Sequence, residues 1–265
     1  MVPQYSIALT DFVDGLTNWR MWGRLGWQEI KRRYRRTVIG PFWTTLSLGV
    51  FMFALGIVWA NLWHQDPKVY LPFLCTGLLA WNMVAAIVSE GCVTFVAGEG
   101  LIKQLRFPYS LLACSVAWRN VIVFLHNLAI LVAVALYAGL RPTWAMLLAI
   151  PGLFLVWFNG VWVATMLGML CTRYRDVQQV VISILQISMF VTPIFFTPEQ
   201  LGARMGKYFA QANPLFDYVN ILRSPLLGKV PTFLTYEIVL VGTTLGWGLT
   251  LWVFSRYRRR LAYWL

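Results

Sequence analysis

Charge is what this sequence has least of. Only 12% of its 265 residues are charged while 59% are hydrophobic, against about 25% charged in a soluble domain. A chain of this size has too little interior to hide so many apolar side chains from water. That excludes a soluble globular protein and leaves one that crosses a membrane several times. Catalytic signatures are equally scarce. There is no GxxxxGKS or GxxxxGKT, so no nucleotide is hydrolysed here through a P-loop. The stretch Gly98-Glu99-Gly100-Leu101-Ile102-Lys103 imitates one, but it follows an apolar run rather than a strand and lacks the hydroxyl residue. HExxH, GxSxG and an acidic cluster suited to a membrane-bound transferase are all absent, so no catalytic residue is assigned. The four cysteines (Cys75, Cys92, Cys114, Cys171) lie in or beside apolar runs without metal-ligand spacing; they read as buried free thiols, and no metal site is expected. Residues 1–17 carry Asp11 and Asp14, no basic residue and no short apolar core, so no cleavable signal is expected. The two halves show no repeat, which weighs against many secondary transporters.

What is present begins with residues 18–36. At about 100° per residue, Trp19, Trp22, Gly26, Trp27, Ile30 and Tyr34 share one arc. Arg20, Arg24, Gln28, Lys31, Arg32 and Arg35 share the other, with Met21, Leu25 and Arg33 out of place. Low hydrophobicity, a basic face and a Trp-rich face predict a helix lying in the membrane surface. Six apolar runs follow, at about 38–62, 70–97, 109–139, 143–170, 177–197 and 235–255. Fifteen basic residues fall at the end that holds both termini: Arg20, Arg24, Lys31, Arg32, Arg33, Arg35, Arg36, Lys103, Arg106, Arg173, Arg175, Arg256, Arg258, Arg259 and Arg260. Six fall at the other end: Lys68, Arg141, Arg204, Lys207, Arg223 and Lys229. The imbalance predicts cytoplasmic termini. The net charge of +12 is thereby spread over short loops facing lipid headgroups, not gathered into a nucleic-acid surface.

Between the fifth and sixth runs, residues 198–234 carry two groups at helical spacing. Leu201, Met205, Tyr208 and Phe209 form one; Leu215, Phe216, Val219 and Leu222 form the other, and Asn213-Pro214 separates them. Two short outer helices are expected. Inside the runs, Glu90 lies nine residues before Glu99, and Arg119 lies eleven after Pro108. On antiparallel helices at about 1.5 Å per residue these charges sit at matching depth, so they are expected to pair. The pair either fixes the register of two helices or lines a hydrated path. The 14 tryptophans mostly suit interface depths, but Phe42, Trp43, Phe51, Phe190, Phe195 and Phe196 lie in the first and fifth runs. Gly242 and Gly246 form a GxxxG, a weakly specific packing motif.

The stretches RYRRTVIGPFW (33–43), GLLAWN (77–82), GLIKQLRFPYSLL (100–112), RYRDVQQVV (173–181), MFVTPIFF (189–196) and ANPL (212–215) resemble, in order, the transmembrane subunit of ABC-2 type exporters in the branch that moves O-antigen, capsule or teichoic acid. One departure is TTLSLGV (44–50), where the family often has a proline. The resemblance implies an all-α integral membrane fold of six spans, an interface helix before them and two outer gate helices after the fifth. Its domains would be a cytoplasmic N-terminus (1–37), a transmembrane domain (38–255) and a basic tail (256–265). Trp19, Trp22, Trp27, Ile30 and Tyr34 would belong to the interface helix. Glu99, Gly100, Leu101, Lys103, Gln104, Arg106 and Phe107 would form the coupling connection to a P-loop ATPase, with Arg173, Arg175 and Asp176 as a second contact. Phe42, Trp43, Phe51, Phe190, Phe195 and Phe196, with Glu90 and Arg119, become candidates for the transport path. Leu201, Met205, Tyr208 and Phe216 become candidates for the gate. The implied assembly is a homodimer with two ATPase subunits in a bacterial inner membrane. It would move a lipid-linked polysaccharide, with ATP and Mg bound by the partner and no cofactor by this chain. A permease of the same architecture for a drug or lipid, or an ion-driven transporter, is the alternative.

Overall fold

The computed structural model describes residues 4–35, 42–201 and 213–265, and its regular structure is entirely helical. In chain order the elements are α1 (Gln4–Thr17), α2 (Trp19–Tyr34), α3 (Phe42–Leu62), α4 (Pro67–Cys92), α5 (Thr94–Ala97), α6 (Glu99–Gln104) and α7 (Ser110–Ala138). A 3-10 turn (Trp144–Leu148) leads into α8 (Ala149–Arg173), followed by α9 (Val177–Val191), a second 3-10 turn (Pro198–Leu201), α10 (Pro214–Leu226) and α11 (Phe233–Trp264). Among the described residues, five helical runs are long and apolar enough to cross a membrane: α3, α4, α7, Trp144–Arg173 and α11.

Four boundaries depart from the sequence expectation, each for a local reason. The fifth apolar run is helical only to Val191. Pro193 disfavours helical geometry at the residue before it, and Thr192 is extended (φ −75°, ψ 135°). The resulting 15 residues reach about 22 Å at 1.5 Å each, short of a hydrocarbon core of about 30 Å. The second run stops at Cys92, where Val93 leaves helical geometry and the one-turn α5 starts afresh. The sixth run does not stop at 255: α11 continues unbroken to Trp264, with Phe254 and Leu261 buried along it. Finally, residues 4–17 form a helix the sequence did not announce. Ala8, Asp11, Phe12 and Gly15 line its buried face, and the carboxylate among them hides the apolar pattern.

α4 is the hub. It packs on α7, α8, α3 and α10, and 72% of its most apolar window is buried, against 22% for α3 and 17% for α7. Small residues allow the approach. On α8, Gly160, Ala164 and Gly168 recur every four residues; a side chain on Gly160 would meet Ile87, and one on Gly168 would meet Phe95. On α4, a Cβ at Gly91 would stand 2.9 Å from Ala164 Cα. The GxxxG of α11 is filled within the chain, Gly242 by the Tyr218 hydroxyl and Gly246 by the Trp162 ring. Left over are α9, none of whose residues is buried, and one face of α3.

Because Gly91 meets backbone rather than a flexible side-chain end, Gly91→Ala is expected to lower stability by about 1–3 kcal/mol. Gly248→Ala, at a position with open space around it, is expected to change it by less than about 0.5 kcal/mol. Thermal unfolding of the two variants in detergent checks the difference.

Candidate functional site

The amphipathic helix α2 supplies the first part of the site. Trp22, Gly26 and Ile30 are buried, while Trp19 and Trp27 are exposed and Tyr34 is half-buried. Trp22 lies between Trp118 and Trp157, with ring centroids 5.5 Å from each. Without a side chain at Gly26 the helix closes on α7, where a Cβ would stand 3.2 Å from Ser115 O. The polar side of α2 is not left to water. Arg33 Nη2 donates to Glu90 Oε1 at 3.0 Å, and Glu29 contacts the guanidinium of Arg119. Arg119 Nη2 donates to Glu90 Oε2 at 2.7 Å, and Asn120 Nδ2 donates to the same oxygen at 2.8 Å. The expected pairing of Glu90 with Arg119 therefore forms. The two α2 residues that join it were not anticipated; Glu29, the single carboxylate of that helix, was the available signal. Two arginines face two glutamates, so the cluster is neutral.

The second part lies where the ends of α1, α7 and α11 meet the α5–α6 connection. Ile102 is buried with Ala8, Phe12, Phe95, Leu112 and Leu261, which gathers α6 into one cluster with α1, α5, α7 and α11. Outward, Leu101, Lys103, Gln104, Leu105 and Arg106 are exposed, and Gly100 has open space around it. Glu99 accepts from Lys103 Nζ at 2.5 Å; that hydrogen bond, then the Lys103 charge, lowers the Glu99 carboxyl below its ordinary range. Phe107 is half-buried against Tyr109, centroids 6.0 Å apart. Arg173 lies 5.0 Å from the centre of the Trp264 ring, whereas Arg175 and Asp176 are simply exposed. Behind this surface is Asp11, 3% exposed. Its carboxylate accepts from Ser110 N at 3.0 Å and Tyr109 N at 3.1 Å, closing the open N-terminus of α7. It also accepts from Arg258 Nε at 2.7 Å. No sequence pattern distinguished this aspartate from a solvated one.

The third part is the corner after α9. Tyr70 Oη donates to Phe195 O at 2.6 Å, Arg223 Nη1 to Pro193 O at 2.7 Å, and Asn213 Nδ2 to Thr192 Oγ1 at 2.8 Å. Arg223 is 2% exposed, lies over Gly77 and stacks on Phe73 at 4.3 Å; none of the ion pairs among the described residues involves it. Backbone carbonyls and a ring face stand in for a counterion. Against this corner, Trp63, Trp59, Phe195 and Phe190 stack in one row with centroids 6.0, 5.9 and 5.8 Å apart. Phe195 is buried, Phe196 half-buried and Phe190 exposed. Phe42 meets His126 edge-on at 4.7 Å, while Trp43 and Phe51 are exposed on α3. Of the gate residues, Leu201 closes the second 3-10 turn and Phe216 is half-buried on α10, while Met205 and Tyr208 lie outside the described residues.

The family described as ABC-2 type transporter matches residues 21–227. Among curated proteins the chain is similar to the O-antigen export system permease protein RfbA of Myxococcus xanthus, 26% identical over 170 residues, 64% of this chain and 65% of that protein. Two proteins of the same name from Klebsiella pneumoniae are similar at 23% and 22% identity over 242 residues, 89% of this chain and 91% of theirs.

The two arginines of the charged cluster differ in burial, and so should their removal. Arg119, whose side chain is 12% exposed, leaves two facing carboxylates behind, so Arg119→Ala is expected to cost about 3–5 kcal/mol. Arg33, 55% exposed, is expected to cost less than about 1 kcal/mol as Arg33→Ala. Detergent unfolding midpoints compare them.

Proposed function

The chain belongs to the ABC-2 type transporter family, and on that premise we propose that it is the membrane subunit of an ATP-driven exporter that moves a lipid-linked polysaccharide outward across a bacterial inner membrane. In this reading α9 and its corner complete a sixth crossing, and both termini are cytoplasmic. α2 is the interface helix. The α5–α6 connection from Glu99 to Phe107 docks onto a separate P-loop ATPase, which binds ATP and Mg, and Arg175 and Asp176 make a second contact.

The observation that carries the reading is the surface left open on α9. Gln179, Ser183, Gln186 and Phe190 recur at spacings of four, three and four along it, all exposed. A polar stripe on an apolar helix is costly against hydrocarbon. It is satisfied if α9 faces a second copy of the chain across a hydrated path. The open face of α3, with Phe42, Trp43 and Phe51, lines the same path. Phe190, the exposed end of the row Trp63, Trp59, Phe195 and Phe190, provides a ring face on which the apolar side of a sugar stacks while its hydroxyls stay wet. The relatives' printed names, which specify O-antigen export, support a glycan as cargo. Phe216, with Leu201, Met205 and Tyr208, borders the outer exit. Glu90 and Arg119 act as a joint: they tie α2 to α4 and α7, so a push on α6 at the foot of α4 and α7 carries α2 with it. ATP binding closes the ATPase dimer, presses on both connections, shifts the spans around the path and advances the glycan.

The test is affinity purification of the tagged chain from its host in mild detergent, followed by native mass measurement. A P-loop ATPase at two copies to two of this chain is expected, and the deletion strain should lose a surface glycan. A chain that is stable and active without an ATPase, or a deletion that leaves surface glycans intact, sinks the reading. In the same host, Lys103→Glu combined with Arg106→Glu is expected to cut glycan export at least tenfold while the protein still reaches the membrane; export at the normal rate removes the docking assignment.

A further inference from the structure

α8 and α11 run side by side in the same direction. Asn159 Nδ2 donates to Thr243 Oγ1 at 2.7 Å, the Trp162 ring fills the place of a Gly246 side chain, and Arg173 stacks on Trp264, so three successive levels on α8 meet three successive levels on α11. Toward their C-terminal ends the helices leave a cleft of about 310 Å³ lined by Met166, Met169, Leu170, Arg173, Tyr174, Val253, Tyr257, Arg260 and Trp264. That volume is in the range of small-ligand pockets, about 300–1,000 Å³. Because the helices are parallel, the lining is graded along the cleft. Met166, Met169 and Val253 come first along the two helices, and Arg173, Arg260 and Trp264 come last, about 6–16 Å further on at 1.5 Å per residue. One end is apolar, and the other is cationic and aromatic.

The two arginines are unspent. None of the ion pairs among the described residues involves either of them. Arg173 is held between two rings, 5.2 Å from the centre of Tyr174 and 5.0 Å from that of Trp264, and only its Nε is committed, to Tyr174 Oη at 2.8 Å. Tyr257 in turn packs on Trp264, centroids 5.8 Å apart. A guanidinium fixed in orientation with free N–H donors, beside a second one, matches the oxygens of a phosphate. Tyr and Trp at the mouth with methionines and a valine behind suit the boundary between headgroup and acyl chain. Basic pockets between spanning helices are where anionic headgroups lodge.

We propose that this cleft binds a phosphate-bearing lipid, its headgroup on Arg173 and Arg260 and its chain along Met166, Met169 and Val253. The leaflet, cytoplasmic, rests on the orientation proposed above; the binding itself does not. Arg173 then serves the lipid rather than the ATPase contact, which falls to Arg175 and Asp176. The bearer of the phosphate is either a bulk anionic phospholipid or the diphosphate of a polyprenyl carrier.

The experiment is native mass spectrometry of the full chain, purified in detergent and mixed with phosphatidylglycerol, with a polyprenyl diphosphate, or with zwitterionic phosphatidylcholine. The expected result is a retained one-to-one adduct with a phosphate-bearing anionic lipid, at least fivefold more abundant than with phosphatidylcholine. It should fall at least fivefold in the double variant Arg173→Gln/Arg260→Gln. Arg256→Gln/Arg259→Gln, which removes the same charge from α11 outside the cleft, should retain it. Preference for polyprenyl diphosphate at equal concentration identifies the carrier, and equal retention identifies the bulk lipid. Equal retention of phosphatidylcholine, or equal loss in both double variants, overturns the proposal. No ATPase or export enters the measurement, so its failure leaves the transport reading standing, and failure of the transport reading leaves it intact.

Discussion

Arg119 is gripped by carboxylates from two helices, Glu29 on α2 and Glu90 on α4, and the organisation of one end of the bundle follows from that grip. A guanidinium with little access to water must find its charge partners inside the protein. Glu90 supplies one and is itself shared with Arg33 and Asn120. The result ties a helix that lies along the membrane surface to two that enter it. The Trp22 stack against Trp118 and Trp157 supplies the apolar half of the same joint. Neither half suffices alone: the rings do not fix a rotation of α2 about its axis, and the charges do not fill space.

The same logic, applied at the other charged positions, explains why the bundle is rigid in some places and open in others. Asp11 is fully satisfied by two amides, a hydroxyl and Arg258. Arg223 is held by carbonyls at its two terminal nitrogens and by the Phe73 ring. Around these two points the helices are close-packed. By contrast, α9 has no buried residue, and it carries glutamines and two serines rather than a charge. Exposed polar groups on an otherwise apolar helix mark the surface where a second copy can complete the chain.

How much of this was legible in the sequence depended on the length of the pattern. Long apolar runs, the basic bias and the arc of tryptophans on α2 span many residues, and they located the long apolar helices and the surface helix. Matching depths on two antiparallel helices sufficed to pair Glu90 with Arg119. Short patterns failed. One aspartate on the buried face of α1 concealed that helix, because the partners that bury Asp11, Tyr109, Ser110 and Arg258, lie 98 to 247 residues away. The stop at Val191 was written in Pro193, yet the apolar run continued to Phe196 and masked it. Arg223 counted as one more outer positive charge, since nothing nearby in sequence shows that Phe73 and the carbonyls of Pro193 and Ile194 enclose it. The tail arginines suggested a solvated end, while Phe254 and Leu261 kept the helix docked.

The bond between Asp11 and Arg258 also sets an order of assembly. Asp11 precedes and Arg258 follows the helices α2 to α10, so all of these are synthesised before the two can meet. Until then α1 is held by the start of α7 and by the apolar cluster it shares with Phe95 and Ile102. Closing a loop across 247 residues costs conformational entropy that grows only slowly with length; the penalty is one of timing more than of energy. The face around α6 is therefore finished last, and a chain cut short before α11 presents that face without the clamp behind it.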